Sequence, residues 1–327
     1  MTAITGKIGV NKRPGELGVH SLSEFNIVVP DLTVAETFYK AFGLDVREEG
    51  EGLSLYTFGS QHRWGRLGEG PIKKLNAISY GVFEEDFEPM KKRIEEQGVK
   101  LFDAPAGIDS NGIFFHDPNG FVIELKVGEK TTPDAKVNFG GLDASGPADK
   151  QASWGRAEKP EARPVRFAHM LAFVSDVQQT IDFYSRTLGL RLSDRTGDVI
   201  AFMHGIHGSD HHMFAFAYSG GRPPGLHHVS WDMGSINGIG LGAMAMADRG
   251  YTKGWGLGRH VLGSNYFHYM QDPWGTWCEF SADIDYISVK HDWDAKDHPA
   301  EDGIYVWGPE IPEDFLHNYD ADQYEGK

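Results

Sequence analysis

The segment EFNIVVPDLTVAETFYKAFGLDVREE, from Glu24, returns in altered form as HMLAFVSDVQQTIDFYSRTLGLRLSD, from His169. Each copy runs an apolar stretch into an Asp, follows it with a helical pattern carrying Phe-Tyr, and stops at Gly-Leu. Asp31 and Asp176 are placed to accept from free backbone N–H groups as helix N-caps. Val177, Ile181, Tyr184 and Leu188 recur at helical spacing, and Gly189 ends that helix as Gly43 ends its counterpart. Two further correspondences follow: LNAISYGV from Leu75 with LHHVSWDM from Leu226, and FFHDPNGFVIEL with YMQDPWGTWCEF. In the last pair Asp-Pro-x-Gly makes a tight turn between β-rich runs, so Asp117, Pro118 and Gly120, like Asp272, Pro273 and Gly275, are turn residues. Each half reads as β-α-β, several strands and a hairpin, an α+β architecture used twice.

The repeat sets the domain map. Residues 1–130 form the first domain, 131–165 a Pro- and Gly-rich linker, 166–285 the second domain, and 286–327 an acidic, aromatic tail. The linker is long for a structureless loop, so part of it is expected to pack on a domain or over a site mouth. Tyr286, Trp293, Tyr305, Trp307, Phe315 and Tyr319 argue that the tail docks. Of a net charge of −16, the stretch from Asp283 to Lys327 carries −10. Acidity argues against nucleic acid and anionic membrane surfaces as partners. A lone cysteine, Cys278, an N-terminus without an apolar leader core and the lack of a long apolar run make cytoplasm the expected location. Cys278 is read as a small packed hydrophobe.

Comparing the two copies isolates the chemistry. Where the second has His169, His228 and Glu279, the first has Glu24, Ala77 and Glu124. Two imidazoles and a carboxylate suit a divalent metal with open positions left for reactants, and the first copy cannot assemble that set. His227 and His228 are adjacent on an expected strand, so their side chains should leave by opposite faces and only one can chelate; spacing does not say which. Nine of the 15 histidines fall between His169 and His268, an enrichment that favours a shared purpose over separate structural ones.

The ordered set GLHHVSWDM followed by GRHVLGSNYFHYMQDPWGTWCEF resembles the signature of the type I extradiol ring-cleaving dioxygenases, in the vicinal oxygen chelate superfamily. The resemblance covers most of the chain. It implies two tandem domains, each of paired βαβββ modules forming an open barrel around a metal site. It implies that His169, His228 and Glu279 hold iron(II), with His228 chosen over His227, and that manganese(II) suits the same set. His212, in DHHMFAF, falls on the family's distal histidine. His260 and Tyr269 fall on positions that touch the substrate hydroxyls. His211 and His227 match no family role.

The implied reaction is extradiol cleavage of a catechol, with dioxygen as co-substrate, in aromatic-compound degradation. Iron(II) with two neutral histidines and one carboxylate keeps a net charge of about +1, which suits a singly deprotonated catechol. His212 can move a proton beside the oxygen position. Members that bind carboxylated catechols carry a basic residue five before the His260 position; here it is Trp255, a candidate pocket wall, and Leu171 follows the first ligand by two. Both lean towards an uncharged or aryl/alkyl-substituted catechol. The basic residues Arg156, Lys159, Arg163 and Arg166 are expected to be solvated. The family implies a homo-oligomer. Two alternatives share the fold: a glyoxalase-like isomerase or lyase with ligands from both modules, and a protein that sequesters a small ligand.

Overall fold

Both repeated helices begin as their capping residues require. In the computed structural model, which describes residues 10–105, 107–136 and 148–325, Asp31 accepts from Val34 N at 2.9 Å and Asp176 from Gln179 N at 2.8 Å. The helices span Leu32–Ala41 and Val177–Leu188, and Gly189 closes the second in the left-handed conformation. The first nine residues, where a leader was sought, and linker residues 137–147, with Pro147, lie outside the described residues.

The strands form two large mixed sheets, of eight and nine strands, one per half. In each, two βαβββ modules meet across a central antiparallel pair: Ser21–Val29 with Lys74–Val82 in the first, Arg166–Val174 with Gly225–Asp232 in the second. Every module returns its last strand parallel to its first, as Val122–Val127 does beside Lys74–Val82 and Trp277–Ala282 beside Gly225–Asp232. The result is the vicinal oxygen chelate architecture.

The two halves interlock by exchanging helices. The Tyr184 ring, on the second half's helix, brings its hydroxyl to Asp117 in the first half's Asp-Pro-x-Gly turn, at 3.3 Å. Reciprocally, burial first, then Cys278 and Asp272 of the second half, push the Tyr39 hydroxyl well above its usual pKa. Phe42 meets Phe280 at 4.1 Å between ring centroids, and one apolar core runs through both halves. Cys278 is buried within it.

The tail is docked along most of its length. Tyr286–Ile287 pairs with Ser209–Asp210, Lys296–Asp297 adds an edge to the large sheet, and Phe315 is buried. Its last helix, Tyr319–Glu325, is pinned by a buried ion pair between Asp320 and Lys73 of the first half, 2.7 Å apart. Among the described residues no helix is long and apolar enough to cross a membrane.

Arg166 is not solvated. Its largely covered side chain lies between Asp210 and Asp232, at 2.6 and 2.9 Å, because the linker ends by feeding directly into a central strand.

Candidate metal centre and its cavity

Strand register builds the centre. His169 lies directly opposite Ser230, and Ser230 opposite Glu279, so the three share a face; His228, two residues before Ser230, joins them. One ligand atom from each of His169, His228 and Glu279 falls within 4.8 Å of the others, and all three residues are buried. His169 Nε2 is 3.0 Å and His228 Nε2 3.7 Å from Glu279 Oε2. His228 Nε2 and Glu279 Oε2 are buried without a hydrogen-bond partner in the protein, which is costly unless something else satisfies them. Burial holds the His228 pKa well below the ordinary value, so its imidazole is neutral. Burial works to raise Glu279, but the neighbouring imidazoles, His169 foremost, keep it well down and ionised. Two imidazole nitrogens and one anionic oxygen, converging, with His228 Nε2 and Glu279 Oε2 unsatisfied, fit a divalent first-row metal.

The expectation that His227 and His228 leave by opposite faces is overturned. A β-bulge breaks the register between Leu226 and His228, leaving His227 unpaired, and both imidazoles turn towards the same cavity. This gives His227 a task that the sequence did not show. Its Nε2 is 2.7 Å from the Phe315 carbonyl, which can only accept, so Nε2 carries the proton. Its bare Nδ1 then accepts from His228 Nδ1–H at 2.7 Å, which leaves the His228 Nε2 lone pair free towards the centre.

Above the three residues is a cavity with an apolar lining that includes Leu171, Phe202, Leu262, Ile304 and Phe315. His212, His260 and Tyr269 also line it. The His212 ring lies 4.2 Å from that of His169. His260 donates from Nδ1 to the Ile304 carbonyl and accepts at Nε2 from the Tyr269 hydroxyl at 3.0 Å. Burial, then the charge of Glu279, push Tyr269 well above its usual pKa, so it remains a proton donor. Trp255 does not form the wall assigned to it. It stands behind Tyr269, nearly parallel at 5.6 Å, with its indole N–H on the Pro309 carbonyl, because the tail occupies the adjoining space. Ile304, Phe315 and Leu316 from the tail line the cavity instead, and only the tail's aromatic content pointed that way.

The first half carries the same row with different contents. Glu24, Ser79 and Glu124 stand in register, with Ala77 where the second half has His228. The Lys126 ammonium lies 2.7 Å from Glu24 and 3.6 Å from Glu124, and Arg63 binds Glu24 at 2.8 Å. Burial tends to raise Glu24, but Lys126 and Arg63 hold it below the ordinary value. A side-chain cation stands where the second half leaves room for a metal.

The paired βαβββ modules and this divided pair of sites place the protein in a known group. Residues 166–280 match the glyoxalase/bleomycin resistance protein/dioxygenase superfamily model, and the chain belongs to the extradiol ring-cleaving dioxygenases of that superfamily. It is 45% identical over 303 residues to metapyrocatechase 2 of Cupriavidus necator, covering 93% of each chain. Among solved structures it resembles 2,2',3-trihydroxybiphenyl 1,2-dioxygenase from the dibenzofuran-degrading Sphingomonas wittichii strain RW1 (TM-score 0.69, 24% identity), covering 90% of this chain and 100% of that one. It also resembles the Mn(II)-bound glyoxalase of Novosphingobium aromaticivorans (TM-score 0.72, 23% identity), over 90% and 93% of the two chains. These two solved structures speak for the fold alone.

Proposed function

We propose that this protein opens the ring of an uncharged, alkyl- or aryl-bearing catechol beside its two hydroxyls, using dioxygen and iron(II) held by His169, His228 and Glu279. The convergence of three buried donors, with His228 Nε2 and Glu279 Oε2 unsatisfied, carries the reading. Iron(II), when bound, supplies the one-electron chemistry that lets triplet dioxygen meet a closed-shell ring, and manganese(II) suits the same donors. The protein's own part is positioning and proton handling. Leu171, Phe202, Leu262 and Phe315 exclude water and clasp the ring. Tyr269 and His260 form one hydrogen-bonded unit whose tautomer is set by the Ile304 carbonyl, ready to hold a substrate hydroxyl and take up its proton. His212 faces the same space from the side of His169 and can supply or accept a proton at the reacting oxygen. Among the described residues no Lys, Arg, Asp or Glu lines the cavity above the His169, His228 and Glu279 row, which supports the uncharged substituent.

In this reading residues 166–285 are the catalytic unit, 1–130 a metal-free partner domain, 131–165 the link and 286–327 a docked strap that closes the cavity. The family relation supports a cytoplasmic homo-oligomer, which light scattering would test. The decisive experiment is anaerobic loading with iron(II) or manganese(II), followed by oxygen uptake and formation of a yellow ring-opened product across catechol, methylcatechols and dihydroxybiphenyl. Absence of both signals across the panel with either metal would overturn the proposal.

A further inference from the structure

A second adjacent histidine pair repeats the logic of His227 and His228, one strand connection away. His211 and His212 are both buried, with their Nδ1 atoms 3.0 Å apart. His211 Nε2 lies 2.8 Å from Asp194 Oδ2. Asp194 is itself buried and gathers three donors from the tail: Lys296 N at 2.9 Å, His298 Nε2 at 2.9 Å and Trp293 Nε1 at 3.3 Å. Burial acts to raise Asp194, yet these contacts, His211 foremost, hold it below its ordinary value, so it is an acceptor only. The assignment of protons follows by elimination. Asp194 accepts, so His211 carries a proton on Nε2; in the neutral ring Nδ1 is then bare and accepts from His212 Nδ1–H.

We infer that Asp194 and His211 are positioning residues that lock His212 in the tautomer with Nε2 unprotonated and facing the cavity. Packing enforces the same arrangement. A Cβ on Gly263 would stand 3.1 Å from His212 Cε1 and 3.3 Å from His211 Nδ1, and Gly263 has φ of +86°, so backbone without a side chain closes over the pair. The kinetic consequence, though not the geometry, rests on the extradiol reading. His212 meets the substrate as an acceptor with a buried carboxylate two links behind it, an arrangement that fixes the orientation of an imidazole.

The test has two arms. Nitrogen-15 spectra of the histidine rings in the metal-free protein at neutral pH should show His212 as the Nδ1-protonated tautomer, and His211→Phe or Asp194→Asn should convert it to a mixture. In the metal-loaded protein the same variants should lower kcat by roughly tenfold to a hundredfold, with catechol KM and bound metal unchanged. Placed in a His212→Phe background, His211→Phe should cost nothing further, since it acts through His212. An Nε2-protonated His212 in the wild type, unchanged kcat, or an equal loss in both backgrounds would each overturn the inference. If His211→Phe fails to fold, Asp194→Asn keeps the side-chain shape and decides the question. A wild-type protein inert to every catechol would defeat the extradiol reading and leave the tautomer result standing.

Discussion

Lys73 is the most informative residue to change outside the cavity. It belongs to the first half, yet its ammonium is buried on Asp320 at 2.7 Å, and Asp320 also accepts from Leu226 N at 2.9 Å, two residues before His228. At an effective dielectric of 20, the direct attraction at that separation is about 6 kcal/mol before either ion's desolvation is counted. Lys73→Met removes the cation, keeps most of the volume, and leaves a buried carboxylate alone, which costs about 3–5 kcal/mol. Adding Asp320→Asn removes the orphaned charge while its amide oxygen still accepts from Leu226 N. The pair should therefore recover most of the loss, with a coupling of a few kcal/mol in the double-mutant cycle. Urea denaturation of all four proteins in the same metal state measures it. In Lys73→Met, hydrogen exchange should rise first in the tail around Phe315, and catechol KM should rise more than kcat falls, because Phe315 and Leu316 line the cavity. A cost below about 1 kcal/mol, or no recovery in the double variant, would refute the reasoning.

In protein loaded with one equivalent of metal, Glu279→Gln should cut bound metal to near zero after gel filtration, read by elemental analysis; full retention would remove Glu279 from the proposed ligand set. Lys126→Met should leave metal content unchanged while lowering stability by about 1–3 kcal/mol, and a second equivalent of metal would show that the first half is a latent site. Stability should fall with acid: burial pushes His20 and His227 down to about 4 and His204 to about 3. Folded values below the unfolded one mean that this contribution is complete above the ordinary histidine value and is lost as pH falls through the folded values, ~3 kcal/mol for His227 alone. Asp117 and Asp272, raised by burial to about 6, act oppositely and offset part of the decline. A melting temperature flat from neutral pH to pH ~4.5 would contradict the sign.

The ligand row is legible in the sequence because the repeat supplies a control: the same strands carry Glu24, Ala77 and Glu124 in one half and His169, His228 and Glu279 in the other. Helix caps and Asp-Pro-x-Gly turns are local and read directly. The β-bulge at His227 is not legible, since it depends on how two distant strands share a register. Trp255 misleads for a related reason, as the space it would face is filled by a tail over fifty residues later in the chain. Asp194 carries no sequence signal at all; only its encounter with His211 and the tail defines it.

The ammonium of Lys126 has one more consequence. If the proposed site holds metal, a chelator acts on the His169, His228 and Glu279 row alone, because the corresponding row of the first half brings its own counter-charge wherever the chain goes. Stripping metal from the proposed site would then leave His169, His228 and Glu279 uncompensated, while Glu24 keeps its partner Lys126. Loss of metal would then cost the proposed activity while leaving the ion pairs of Lys126 in the first half intact.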